Sequence, residues 1–207
     1  MTNTEATVFL VDDDDAVRDA LELLMETAGY RTKAYSTASG FLNDYQPTFA
    51  GCLVLDIRMP EMSGMELQDA LLARDVNLPI IFLTGHGNVS MSARAFRRGA
   101  IDFMEKPFDE SVLLERIQEA IKLDQCWREA ATRRDKANTL IATLTPREQQ
   151  VMLLIVAGNA NKEIAAELEL SIRTIETHRG RIMDKTRAGS LTELVELAVI
   201  SGCHQLD

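Results

Sequence analysis

Apolar residues follow two different textures along these 207 positions. In the first, short unbroken apolar runs alternate with longer stretches in which apolar residues recur every three or four positions. Val8-Phe9-Leu10-Val11, Cys52-Leu53-Val54-Leu55 and Ile80-Ile81-Phe82-Leu83 show no polar alternation, the pattern of strands covered on both faces. Arg31 to Tyr35 and Ile101 to Met104 read as two further strands. Helical spacing predicts helices over 15–28, 39–45, 65–73 and 89–98, and another from Glu110. In the first of these, Val17, Leu21, Leu24 and Met25 share one face, and Gly29 suits its C-terminal cap. Five strand–helix units in succession predict an α/β doubly wound five-stranded parallel sheet.

The helix from Glu110 keeps its spacing through Leu113, Ile117, Ala120 and Ile121, then turns polar from Arg128 to Lys136 without glycine or proline. The chain therefore divides into a first domain over 1–124, a helical or frayed linker over 125–139, and a second domain over 140–207. The second domain contains helix patterns only. Thr145, Pro146 and Glu148 form an N-cap, a proline at the first helical position and a capping-box glutamate. Further helices are predicted over 161–168, 172–186 and from Ser190 or Leu191 to Ser201. Two of them, joined by Glu169-Leu170-Ser171, have the spacing of a helix-turn-helix in a small four-helix unit.

Composition adjusts this picture at three points. At 46% hydrophobic the chain can bury a core, and it has no apolar run long enough to span a bilayer, so no membrane role is expected. Residues 1–5 lack the basic and apolar regions of a signal peptide, and three widely spaced cysteines fit a reducing cytoplasm. The net charge of −10 is concentrated in residues 1–124, with 21 acidic and 11 basic side chains, whereas residues 171–187 hold five basic against two acidic. Such a protein could engage nucleic acid with one element, not with its whole surface.

The candidate chemistry lies at the strand ends. Asp12-Asp13-Asp14-Asp15 follows the first strand, Asp56 ends the third, Thr84 ends the fourth and Lys106 follows the fifth. Taken alone, the aspartate run reads as a solvated turn and helix start, where negative charge is favourable. In a parallel sheet, however, these four strand ends share one edge. Crowded carboxylates repel, and a hard divalent cation such as Mg²⁺ relieves the repulsion. Cation, ammonium and hydroxyl around one carboxylate make a site at which that carboxylate can attack a phosphoryl group in line.

Val11-Asp12-Asp13, Asp56-Ile57-Arg58-Met59-Pro60 with Gly64, Thr84-Gly85 and Lys106-Pro107-Phe108 resemble a two-component receiver domain over residues 7 to about 122. The resemblance implies a flavodoxin-like strand order 2-1-3-4-5, with Asp56 as phospho-acceptor. It implies Mg²⁺ held by Asp13, Asp56 and the Arg58 carbonyl, with Asp12 acting through water, and Thr84 and Lys106 on the phosphoryl oxygens. It also implies a cis Lys106–Pro107 bond and a switch position at Phe103, which lacks the hydroxyl of the usual tyrosine. Asp14 is expected to favour the helix start or repel other anions, His86 to shape access to the pocket, and Met59, Met62 and Met65 to pack.

The other candidate is Ile172 to Ile182. Ile175 and Ile182 are seven apart, and the opposite face presents Arg173, Glu176, Thr177 and Gly180, with Arg181 at its edge. Glycine inside a helix costs about 1 kcal/mol against alanine, a cost that close approach to DNA would offset. A solvated basic face is the plain alternative. Leu144-Thr145-Pro146-Arg147-Glu148, Gly158 to Ala165 and Thr174 to His178 resemble a LuxR-type helix-turn-helix, and the whole chain resembles a response regulator of the FixJ/NarL type. That implies base-facing Glu176, Thr177 and Gly180, phosphate contacts from Lys162, Thr174, Arg179, Arg181 and Lys185, and a structural His178. Thr186, where the family has Leu or Met, implies a weaker core.

The expected function is a phosphorylation-dependent, DNA-binding transcriptional regulator. Its partners would be a sensor histidine kinase, promoter DNA and, on phosphorylation, a second copy of itself, with RNA polymerase a further candidate. The rival within this class is a phosphorylation-independent regulator with a degenerate receiver. A haloacid-dehalogenase-type phosphatase would carry its nucleophile on the first strand, so no enzyme is expected.

Overall fold

A computed structural model describes residues 6–85 and 89–203, with the side chains of 89–91 excepted. Five parallel strands, β1 (Thr7–Val11), β2 (Arg31–Tyr35), β3 (Gly51–Asp56), β4 (Ile80–Thr84) and β5 (Asp102–Glu105), form one sheet in the order β2-β1-β3-β4-β5. The strands alternate with α1 (Asp15–Thr27), α2 (Ala38–Asp44), α3 (Gly64–Ala73) and α4 (Val89–Arg97), and β5 leads into α5 (Glu110–Ile141). The expected architecture and strand order are present.

The unbroken apolar strands are explained by the layers. Phe9, Val11, Leu53, Leu55, Ile80 and Phe82 point to one face, against Phe41, Leu67, Leu71 and Ala95. Their neighbours Val8, Leu10, Cys52, Val54, Ile81 and Leu83 point to the other, against Leu21, Met25, Leu113 and Ile117. Successive strand residues face opposite ways, so a strand buried on both faces has no polar position to spare. Every residue of β3 is buried. By contrast β2, at the sheet edge, keeps exposed Arg31 and Lys33.

Helix boundaries fall where cap chemistry puts them. Asp14 caps α1 by accepting from the amides of Ala16 and Val17 at 2.9 and 3.4 Å, and Gly29 follows the helix with φ 79°. Ser63 and Glu66 close a capping box at the start of α3.

The chain divides into two compact units, residues 1–127 and 128–207, and the boundary falls inside α5. In the second unit α6 (Pro146–Val156), α7 (Asn161–Glu167), α8 (Ile172–Thr186) and α9 (Leu191–Ser201) surround a core of Leu144, Val151, Met152, Ile155, Ile164, Ile175, Ile182 and Leu194. Thr145 caps α6 with Glu148 in a capping box and Pro146 in the first turn. Ser171 caps α8. Thr186 is buried, and its hydroxyl donates to the Ile182 carbonyl at 2.7 Å, so the smaller side chain leaves no orphaned polar atom. Among the described residues no helix is long and apolar enough to cross a membrane.

Candidate functional site

Parallel register assembles the first site. Val11 lies opposite Leu55, so Asp12 leaves β1 at the edge where Asp56 ends β3. Asp56 pairs with Leu83 of β4, and Thr84 pairs with Glu105 of β5, one residue before Lys106. The sheet thereby gathers Asp12, Asp56, Thr84 and Lys106, of which the first three are 2%, 6% and 1% exposed.

Lys106 joins the two carboxylates. Its Nζ donates to Asp12 Oδ2 at 2.6 Å and to Asp56 Oδ1 at 2.7 Å. The second Asp56 oxygen accepts from the Arg58 amide at 2.6 Å, and Asp12 Oδ1 accepts from the Asp14 amide at 3.0 Å. The Lys106 amide is fixed by the Thr84 carbonyl at 2.7 Å, and the Lys106–Pro107 bond is cis. Burial works against the Lys106 ammonium, but the hydrogen bonds and charges of Asp12 and Asp56 outweigh it and hold its pKa above the ordinary lysine value. Burial raises the Asp12 carboxyl, against the lowering pull of Lys106 and the Asp14 amide.

Two buried carboxylates facing one ammonium leave one negative charge in excess. Hard oxygen donors with surplus negative charge suit Mg²⁺, which binds through one or two carboxylates and keeps much of its water. Among the described residues, no three carboxylate, imidazole or thiol groups converge as a metal cage. Asp13, expected to share the cation with Asp56, is exposed. Arg58 is likewise exposed. The Phe103 ring is half-buried, 6.4 Å from that of Phe82 and packed on the α3 and α4 side of the sheet. Met59 and Met65 are buried in the same core, with Met62 against it. His86 lies outside the described residues.

One residue at this edge escaped the sequence reading. Arg18 of α1 donates from Nη1 to the Asp12 main-chain oxygen at 2.6 Å and pairs through Nη2 with the Asp15 carboxylate. The available signal was an arginine one turn into the helix that follows four aspartates, since helical side chains lean toward the N-terminus.

The second site is α8. Ile175 and Ile182 are fully buried, whereas Arg173, Glu176, Thr177, Gly180 and Arg181 are exposed along the opposite side. A Cβ on Gly180 would meet nothing within 4 Å, so packing within the unit does not require glycine there. Lys162 of α7 is also exposed. Arg179 reaches Asn161 Oδ1 at 3.2 Å and the Thr174 hydroxyl lies 2.8 Å from that of Ser171, so both face local partners. Lys185 also has a partner within the unit. Its Nζ donates to the buried Glu148 carboxylate of α6 at 2.6 Å, while its own side chain stays 36% exposed. His178 is half-buried.

Comparison with known proteins gives matches to both units. Residues 8–118 match the response regulator receiver domain family, and residues 142–198 match the luxR family of bacterial regulatory proteins. The response regulator protein TmoT of Ectopseudomonas mendocina is 42% identical over 197 residues, covering 95% of this chain and 90% of that protein. The transcriptional regulatory protein FixJ of Bradyrhizobium diazoefficiens is 40% identical over 200 residues, covering 96% of this chain and 97% of that protein. Among solved structures, the response regulator StyR superposes with a TM-score of 0.84 at 44% identity, covering 95% of this chain and 99% of that chain.

Proposed function

The chain belongs to the two-component response regulators of the FixJ/NarL type, phosphorylation-dependent DNA-binding proteins that join a receiver to a LuxR-family helix-turn-helix, and on that premise we propose that Asp56 is its phospho-acceptor. The observation that carries the proposal is the buried Asp56 carboxylate, held by the Lys106 ammonium beside Asp12 at the C-terminal edge of the sheet. We take residues 1–124 as the receiver, 125–139 as the linker and 140–207 as the DNA-binding domain.

In this family Mg²⁺ supports phosphorylation, and when bound it neutralises charge on the crowded oxygens. In this chain Asp12, Asp13, Asp56 and the Arg58 carbonyl would hold it. The Arg58 amide orients the Asp56 carboxylate for in-line attack on the phosphorus of a phosphohistidine in the partner kinase. As the P–N bond breaks and leaves the imidazole on the kinase, Asp56 becomes an acyl phosphate; Lys106, freed from it, turns its ammonium to the new phosphoryl oxygens, and Thr84 donates its hydroxyl to them. The movement of Lys106 and Thr84 draws on β4 and β5, and the Phe103 ring follows by burial alone. Two receivers then meet through the α4 and β5 side, where Phe96 of α4 is exposed.

In the second domain α8 enters the major groove. Glu176 and Thr177 read base edges, and Gly180 permits close approach. Lys162, Arg173, Thr174, Arg179 and Arg181 anchor phosphates. Sedimentation of wild type and Asp56→Ala, each with Mg²⁺ and acetyl phosphate, tests the proposal. Only wild type is expected to dimerise, with a matching shift on a phosphate-retarding gel. Equal phosphoryl uptake by Asp56→Ala rejects Asp56 as the acceptor.

A further inference from the structure

We propose that Arg18 is a positioning residue for the cation site, cross-linking the Asp12–Asp15 turn so that Asp13 is left to meet the metal; this rests on the reading of the acidic pocket as a Mg²⁺ site. Arg18 sits in the second turn of α1 with its side chain folded back toward the helix start, and it is only 15% exposed. Its planar fork spans the aspartate run, with Nη1 on the Asp12 main-chain oxygen at 2.6 Å and Nη2 on the Asp15 carboxylate. Asp12 lies one residue beyond the last β1 pairing, so its buried carbonyl has no place in the sheet ladder and needs a donor.

The rest of the turn is equally committed. Asp12 is held by Lys106 and by the Asp14 amide. Asp14 caps the helix through the Ala16 and Val17 amides. Asp15 is paired with Arg18. Among the described residues, Asp13 alone of the four carries no hydrogen bond or ion pair. Four successive carboxylates repel one another, and an unbraced turn would relieve the repulsion by splaying. A single rigid group fixed to residues 12 and 15 prevents that, and the residues between the fixed points include Asp13.

Arg18 has two effects of opposite sign on a nearby divalent cation. Its charge repels the ion, whereas its bracing presents a ligand to it. Replacing Arg18 therefore separates the two. The full chain is titrated with Mn²⁺, and the free ion is counted by electron paramagnetic resonance, with Mg²⁺ as competitor. Metal-free melting curves accompany each variant. If Arg18 positions the turn, Arg18→Ala weakens Mn²⁺ binding by about ten-fold, the scale seen when groups that orient metal ligands are lost. Arg18→Lys keeps the charge but not the fork, and it also binds more weakly than wild type. If Arg18 acts only by charge, Arg18→Ala binds more tightly and Arg18→Lys matches wild type, which overturns the proposal. Should Arg18→Ala fail to fold, Arg18→Lys carries the decision alone. Failure of wild type to take up Mn²⁺, or uptake by Asp13→Asn equal to wild type, overturns the reading of the pocket and the proposal with it. Uptake by wild type with both Arg18 variants unchanged overturns only the role of Arg18.

Discussion

Gly64 opens α3 directly against the strand end that carries Asp56. A Cβ at this position would stand 2.2 Å from the Asp56 carbonyl oxygen and 3.0 Å from Leu55 Cγ, while the Gly64 amide donates to the Ile57 carbonyl at 3.0 Å. The obstacle is backbone, so it cannot swing aside. Gly64→Ala is expected to destabilise the receiver by about 1–3 kcal/mol in urea denaturation, the cost of overpacking a well-filled site. Uptake of phosphate from acetyl phosphate should also slow, because the displaced peptide belongs to the proposed acceptor. Wild-type uptake kinetics in a variant that is merely less stable would show that Asp56 tolerates the shift. At this scale the sequence was readable wherever a residue ends an apolar run, as Asp56 and Thr84 do, or follows a strand directly, as Lys106 does. It was not readable where the partner is a main-chain atom brought near by folding. Gly64 stood in a recognised motif with no visible reason, and the reason is the Asp56 carbonyl. Arg18 stood in no motif, and its partner is the Asp12 carbonyl.

Among the helical elements, the end of α8 is anchored to the start of α6. Glu148 accepts from the Thr145 amide at 2.8 Å and from Lys185 Nζ at 2.6 Å, and it is 3% exposed. The hydrogen bond from Lys185, followed by that from the Thr145 amide, lowers its pKa to about 2 from an ordinary 4.5. A carboxyl that is depressed in the folded state contributes stability that is complete above its unfolded pKa and fades as pH falls toward its folded pKa. The window here is therefore pH 4.5 down to about 2. In thermal melts of the full chain, the advantage of wild type over Glu148→Gln should be constant above the upper limit and shrink through this window. A pH-independent difference would assign the effect to packing. Periodicity located α8 correctly from Ile172 to Thr186 and showed which side faces the core. It could not show that Lys185 turns inward, because its partner lies 37 positions away. The linker posed the same difficulty in milder form. With neither glycine nor proline to stop it, 125–139 read as either helical or frayed, and α5 continues to Ile141.

For the whole molecule, the uneven charge governs how it meets DNA. A net charge of −10 disfavours contact with a polyanion over most of the surface, so affinity has to come from the few cations near α8. Each cation that neutralises a phosphate releases counterions and adds about −0.9 to the slope of log K against log salt. Lys162→Ala removes one such contact per subunit, so a bound dimer should lose about two units of slope, with affinity falling alike on all sequences. Thr177→Ala should leave the slope intact and change which base pair is preferred at its position, because a base-edge contact carries sequence information and little counterion release. Lys185→Ala provides the internal comparison. Its ammonium is bound to Glu148, so its loss should lower the melting temperature of the second unit while the slope stays at the wild-type value. Anisotropy titrations of the phosphorylated protein on labelled duplexes, run between about 50 and 200 mM salt, separate the three behaviours. A slope reduced by Lys185→Ala as much as by Lys162→Ala would mean that the ion pair opens on DNA and that Lys185 contacts phosphate after all. A slope unmoved by Lys162→Ala would take α7 out of the interface and leave α8 to account for binding alone.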